Sequence, residues 1–299
     1  VTRARASLCL ILTAVACRAP APEPAAADRF PAPDGAQVRI DALPVQRIVS
    51  TMQSATEWIV LLGAADLMVA RTDYDRQPQL VHLPSIGGGL DPSAEVIASL
   101  DPDVVLGWRI RASVDLQRTL APFNIPVIAV EATDTGEVFT QLGVLARLVG
   151  REQQADSLAA ALRAELDAAR ASCAGAVESV VIILSTEPPV TSGGGTWMDQ
   201  LLPAACLTNA FGDLTLPWPT ISVEALVDRQ PDWVLTSVGP TPGERLSALR
   251  TAPGWRDLEA VRAGRVLEIP GDLFARAGPT MGEWVRAVRE ARQSVRGEG

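Results

Sequence analysis

Short runs rich in β-branched residues alternate along this chain with stretches whose apolar positions recur at helical spacing. Residues 47–50, 68–71, 104–108 and 127–130 read as strands, with amphipathic segments between them. A second set begins at 180–185 and continues through 233–237 and 265–269. Such alternation suits a parallel sheet covered on both faces, so two α/β lobes are expected. Between the sets, Val138, Leu142, Leu145 and Val149 keep a helical period up to Gly150, and a second helix is predicted from about Glu152 to Ser172 through Leu158, Leu162 and Leu166. At about 1.5 Å per residue this second helix spans about 30 Å, enough to join two lobes as one stiff rod.

The chain repeats itself. Residues 93–106 (SAEVIASLDPDVVL) align without gaps on 222–235 (SVEALVDRQPDWVL). Each copy predicts a helix that starts near a serine, carries a glutamate in its first turn, ends before a proline and feeds a strand. Glu95 and Glu224 therefore occupy matching places on the two lobes. Taken singly, each complements a helix dipole. As a pseudo-symmetric pair they suit a two-fold partner with two basic pockets.

Composition narrows the class. The sequence has 299 residues, 47% of them apolar, and a net charge of −9 with arginine as its only cation besides His82, which excludes general disorder and argues against nucleic acid. Residues 1–17 read as an export signal: Arg3 and Arg5, an apolar run from Leu8 to Val15, then a small-residue site before Cys17. That site resembles a bacterial lipobox, with Ala14 where leucine is usual, and implies acylation of Cys17; plain cleavage after Ala16 is the alternative. The Pro/Ala-rich stretch 18–44 is expected to be a tether. The remaining boundaries are an N-terminal α/β lobe at 45–150, a bridging helix at 151–173 and a C-terminal α/β lobe at 174–299. Cys173 and Cys206 remain in the folded part, where an oxidising compartment permits pairing but spacing alone does not place them together. No metal-ligand or redox motif is present.

Several segments carry a family likeness: RIVSTMQSATEWIVLLGA (47–64), TDYDRQP (72–78) and SIGGGLDPSAEVIASLDPDVVLGWR (85–109) in the first half, then PPVTSGGGTWMDQLL (188–202), LPWPTISVEALV (216–227) and GDLFARAGP (271–279). From Val45 to about Val295 the chain resembles the periplasmic vitamin B12-binding proteins and their relatives. These are ABC-importer substrate-binding proteins with two Rossmann-like lobes joined by a rigid helix, the class III or helical-backbone metal receptor type. The first-half pattern is shared with ferric-siderophore and haem binders; the tryptophans of GWR and PWP favour a corrinoid. Together with the lipobox-like site, the resemblance implies a monomeric, membrane-anchored extracytoplasmic lipoprotein that delivers cobalamin or a related corrinoid to a permease dimer with its ATPase. It implies no catalysis, cofactor or resident metal. Ligand contacts are implied at Tyr74, Trp108, Trp218, Asp272, Phe274 and Arg276, and transporter docking at Glu95 and Glu224. Gln77 stands where the vitamin B12 binders carry an aromatic residue, and no cysteine follows Gly278 to pair with Cys206.

The residues give their own chemistry beside this. Trp108 closes a predicted strand, and the carboxyl ends of strands in open α/β sheets line the ligand crevice. Trp218 sits between Pro217 and Pro219, which deny it a central strand and hold an indole at the surface; packing at a lobe edge is the alternative for each. Asp272 and Arg276 offer an acceptor and a donor to ligand amides, or else form a local surface pair. Gly193–Gly195 reads as a flexible turn, because no lysine follows for a phosphate loop. His82 reads as an exposed loop residue, and Trp58, Trp233, Trp255 and Trp284 as core. Within transport the alternative is a ferric-siderophore or haem binder; outside it, an exported hydrolase, which lacks a G-x-S-x-G elbow.

Overall fold

The computed structural model describes residues 29–297 apart from 176, 240 and 242, so the expected signal, Cys17 and residues 18–28 lie outside the described residues. The first lobe holds a parallel sheet in which Val104–Gly107 lies between Ile48–Ser50 and Val127–Ala129. The strand expected at 68–71 is reduced to isolated bridges. Met68 pairs with Ile48 and Arg71 with Ser85, two different partners, so no continuous ladder forms. In the second lobe Val266–Ile269, Trp233–Ser237 and Glu178–Thr186 run parallel; the last also pairs with Leu207–Asn209 and, antiparallel, with Pro189–Thr191.

Alternation along the strands fixes which side chains enter which core. Ile48, Val104 and Leu106 face inward with Val180, Ile182, Trp233, Leu235, Leu267 and Ile269 into one apolar cluster running through both lobes. Their neighbours face outward: Val49, Val105 and Val127 build a separate cluster behind the first sheet, and Val181, Ile183, Val234 and Val266 one behind the second. The shared cluster also takes Leu142 and Leu145 from helix Thr135–Val149, and Ala155, Ala159 and Leu162 from helix Glu152–Ala171. Gly150, at φ 65°, ends the first of these helices in the left-handed conformation that glycine adopts without Cβ strain.

The far end of the bridge is locked to the second lobe. Cys173, just beyond helix Glu152–Ala171, is disulfide-bonded to Cys206, with Cα atoms 5.3 Å apart. Arg289, on helix Met281–Arg296, donates from Nε to the Ala204 carbonyl at 2.8 Å and from Nη2 to the Ala169 carbonyl at 2.5 Å. The pairing that spacing left open is therefore made.

Residues 29–44 do not form the expected tether. Arg29–Pro31 pairs antiparallel with Gln37–Arg39, and Phe30, Ile40 and Val45 are buried against the first lobe, so 29–44 belongs to that lobe. The Arg147 guanidinium stacks 4.4 Å from the Phe30 ring centre and closes over the hairpin.

The repeat is a structural one. Ser93 and Ser222 both cap their helices, accepting from Val96 N at 3.3 Å and Ala225 N at 3.1 Å. Asp101 and Gln230 follow those helices with φ of 46° and 41°. Asp103 accepts from the backbone N–H groups of Gln46 and Arg47, and Asp232 from Ser179 N and Oγ, so each aspartate pins the start of the strand beside it.

Candidate ligand-binding cleft

Between the lobes lies a cleft of about 990 Å³. Its first wall is built by chain leaving the carboxyl ends of the first sheet: Thr51–Ser54 after Ser50, Trp108–Ile110 after Gly107 and Glu131–Thr133 after Val127–Ala129. Trp108 is half-buried, packed against the shared core with part of its ring on the cleft. A Cβ on Gly89 would lie 2.3 Å from the Thr51 carbonyl oxygen and 3.0 Å from Trp108 Cη2, so glycine there is what leaves room for the indole beside the Thr51 backbone. The Glu131 carboxylate accepts from the backbone N–H of Arg109 at 2.8 Å and fixes the turn after Trp108. Tyr74, 59% exposed, stands on a loop braced from within. Thr72 donates from N and Oγ1 to Asp75 Oδ2, both at 2.8 Å, and Gln53 Nε2 donates to the Tyr74 carbonyl at 3.0 Å.

The second lobe contributes Trp218, 42% exposed, on a loop stitched to residues 189–193. Gly193 N donates to the Pro217 carbonyl at 2.9 Å, Thr191 N to that of Pro219 at 3.1 Å, and Ile221 N to that of Pro189 at 2.9 Å. The glycine run is therefore no flexible turn. A Cβ on Gly193 would sit 2.1 Å from the Leu216 carbonyl oxygen, and one on Gly194 2.1 Å from that of Gly212, so bare backbone is needed for the close approach that seats Trp218.

Arg276 also lines the cleft, as expected, and the alternative of a local surface pair with Asp272 is not what it forms. It reaches across the lobes to Glu57 at 3.2 Å, both side chains being 17% exposed. Burial pushes the Glu57 carboxyl above its ordinary value; Arg276 pulls the other way, and Asp75, Glu283 and Asp272 add to the rise. Further contacts weld the lobes at the cleft floor. Trp197 N donates to the Thr133 carbonyl at 2.8 Å, and Thr135 donates from N and Oγ1 to Gln200 Oε1.

Of the residues expected to meet a ligand, Tyr74, Trp108, Trp218, Asp272 and Arg276 share this one cleft. Phe274 does not. It is 4% exposed and belongs to the core, because it lies inside the short helix Gly271–Phe274 on the side that packs inward. His82 is exposed and off the cleft. Glu95 and Glu224 are exposed in the first turns of helices Ala94–Ser99 and Val223–Arg229; the backbone and Ser222 hold the Glu224 carboxyl below its ordinary value. Trp58, Trp233, Trp255 and Trp284 are buried as expected. Trp197, Met198, Gln141 and Glu131 also line the cleft, and sequence reasoning missed them. Trp197 packs edge-on against Trp284 at 5.8 Å, so its ring reads in sequence like any core indole. Among the described residues no group of three or more His, Cys, Asp or Glu side chains is arranged to hold a metal, and no helix is long and apolar enough to cross a membrane.

The profile of the periplasmic binding proteins matches residues 48–273. The chain belongs to this periplasmic binding protein family. Within it, the chain is 31% identical over 254 residues to the uncharacterized ABC transporter substrate-binding lipoprotein YvrC of Bacillus subtilis, covering 82% of this chain and 79% of that one. It is 28% identical over 244 residues to a vitamin B12-binding protein of Pectobacterium carotovorum, covering 80% and 85%. Among solved structures, a possible iron-binding periplasmic solute-binding protein of Staphylococcus epidermidis superposes with a TM-score of 0.74 at 22% identity over 83% of this chain and 98% of that one. A periplasmic haem-binding protein of Roseiflexus gives 0.69 at 26% identity, over 83% and 99%. The two-lobed α/β class III architecture is thus the family's own, and its members are extracytoplasmic substrate-binding components of ABC transporters rather than enzymes.

Proposed function

We propose that this substrate-binding protein captures a corrinoid of the vitamin B12 type in the inter-lobe cleft and hands it to a membrane permease, held near the membrane by a lipid on Cys17. The observation that carries the reading is a pair of partly exposed indoles, Trp108 and Trp218, brought from opposite lobes to one cleft. A corrin is a broad, mostly apolar disc rimmed with amides, and large aromatic rings cover such a surface at little conformational cost. Tyr74, Asp272 and Arg276 line the same cleft and offer polar partners to the amides of such a ligand. A relative named for vitamin B12 binding supports the same ligand. Exposed, symmetry-matched Glu95 and Glu224 serve as the two docking points for the permease dimer.

Titration with cyanocobalamin is expected to quench tryptophan fluorescence saturably. A Trp108→Ala Trp218→Ala variant that binds it as tightly as the parent overturns the site. The second reading is haem, supported by the exposed phenol of Tyr74 on the cleft and the Roseiflexus likeness. Haemin binding with a phenolate-to-iron absorption band lost in Tyr74→Phe, together with no cyanocobalamin binding, decides for it.

A further inference from the structure

We propose that the cleft selects its macrocycle by the chemistry of the rim, accepting amide-edged corrinoids and rejecting carboxylate-edged ones, with Gln141 as the residue that reads the difference. The inference rests on the corrinoid reading above and adds to it a rule of discrimination.

Charge on the lining is the first observation. Asp91, Glu131 and Asp272 present three carboxylates, against the guanidiniums of Arg109 and Arg276. Arg276 is already matched by Glu57, so its charge is largely spent before a ligand arrives. Arg109, at the exposed mouth, is left outnumbered. A ligand carrying several carboxylates meets a lining of its own sign, on a chain whose net charge is −9.

Gln141 is the second observation and is independent of the first. It lies on helix Thr135–Val149, is 4% exposed and lines the cleft. Its Nε2 donates to the Val130 carbonyl, which fixes the orientation of the amide, and its Oε1 is left buried without a donor. A buried acceptor without a donor is costly, and a ligand N–H that reaches it removes the cost. A small shift of the side chain is needed, since the oxygen is covered by its surroundings. A primary amide on the corrin edge supplies that N–H; a carboxylate brings only lone pairs and charge. Sites built to receive a donor reject analogues lacking it more sharply than apolar pockets reject a misfit in size.

The test compares dicyanocobinamide, whose ring side chains end in amides, with dicyanocobyrinic acid, whose side chains end in carboxylates, by equilibrium dialysis at pH 7. The cobinamide is expected to bind at least about tenfold more tightly, and the gap to narrow in high salt as the repulsive part is screened. Equal affinities, or tighter binding of the acid, overturn the rule while leaving the corrinoid reading intact. Binding of neither overturns both. Gln141→Leu is expected to shrink the ratio and Gln141→Glu to widen it. A ratio that stays at the parental value in folded samples of both variants removes Gln141 from the mechanism.

Discussion

Trp218 stands on a proline-flanked loop with two-fifths of its surface in solvent, and a ligand disc laid over it removes that apolar area from water. At ~25 cal/mol per Å², covering ~100 Å² gives ~2.5 kcal/mol, so Trp218→Ala should weaken cyanocobalamin binding by roughly sixtyfold with little change in stability. Equilibrium dialysis with a thermal melt checks both halves. Gly89→Ala is expected to weaken binding through another residue, because its methyl group takes the space of the Thr51 carbonyl and the edge of Trp108. Titrating carboxyls give opposite signs. The Glu57 carboxyl is raised from its ordinary 4.5, so as pH climbs from there the unfolded chain releases its proton first and stability falls. Asp232 is lowered from 3.8, chiefly by the Ser179 backbone N–H; its contribution is present above that value and is lost on further acidification. Urea melts across pH 3 to 7 should show a flatter upper limb in Glu57→Gln and a flatter acid limb in Asp232→Asn. Trp108, Trp218 and the capping serines were legible because each depends on its immediate neighbours. Glu57 was not, since its partner lies in the other lobe, and Phe274 was misread because a motif fixes a position in sequence without fixing which way a ring turns.

Among the elements, the strand Trp233–Ser237 is legible because burial on both faces leaves little freedom in register, and the helix pair around Gly150 because each helix turns an apolar stripe to the core. The hairpin at Arg29–Pro31 and Gln37–Arg39 did not show itself. Its few buried residues, spaced by Pro, Asp and Gly, look locally like a spacer, and only the waiting surface of the first lobe makes it fold. The run Gly193–Gly195 was opaque for a related reason: what demands glycine is the backbone of residues 212–216, brought in from elsewhere. The disulfide closes a loop of 33 residues between bridge and second lobe. By chain-entropy reasoning its removal in Cys173→Ser Cys206→Ser should cost up to about 3–4 kcal/mol, read as a lower urea midpoint in the variant than in the oxidised parent. Cyanocobalamin affinity should stay near the parental value, since neither cysteine touches the cleft.

At the scale of the whole molecule the internal repeat was the most informative sequence feature, predicting two sibling lobes and the matching places of Glu95 and Glu224 on them. Charge reversal at both, Glu95→Arg Glu224→Arg, is expected to abolish delivery to permease-containing vesicles while leaving cyanocobalamin affinity unchanged; lost affinity would place these side chains in ligand binding instead.

One apolar core runs unbroken through both lobes and the helices joining them, and bonds such as that from Trp197 to Thr133 tie the two halves directly. A receptor built this way has no jaw to shut, so a vacant molecule offers a permease nearly the same face as a laden one. Idle copies then queue at the same dock as working ones, and import should slow, not quicken, once the receptor is supplied in excess of its cargo.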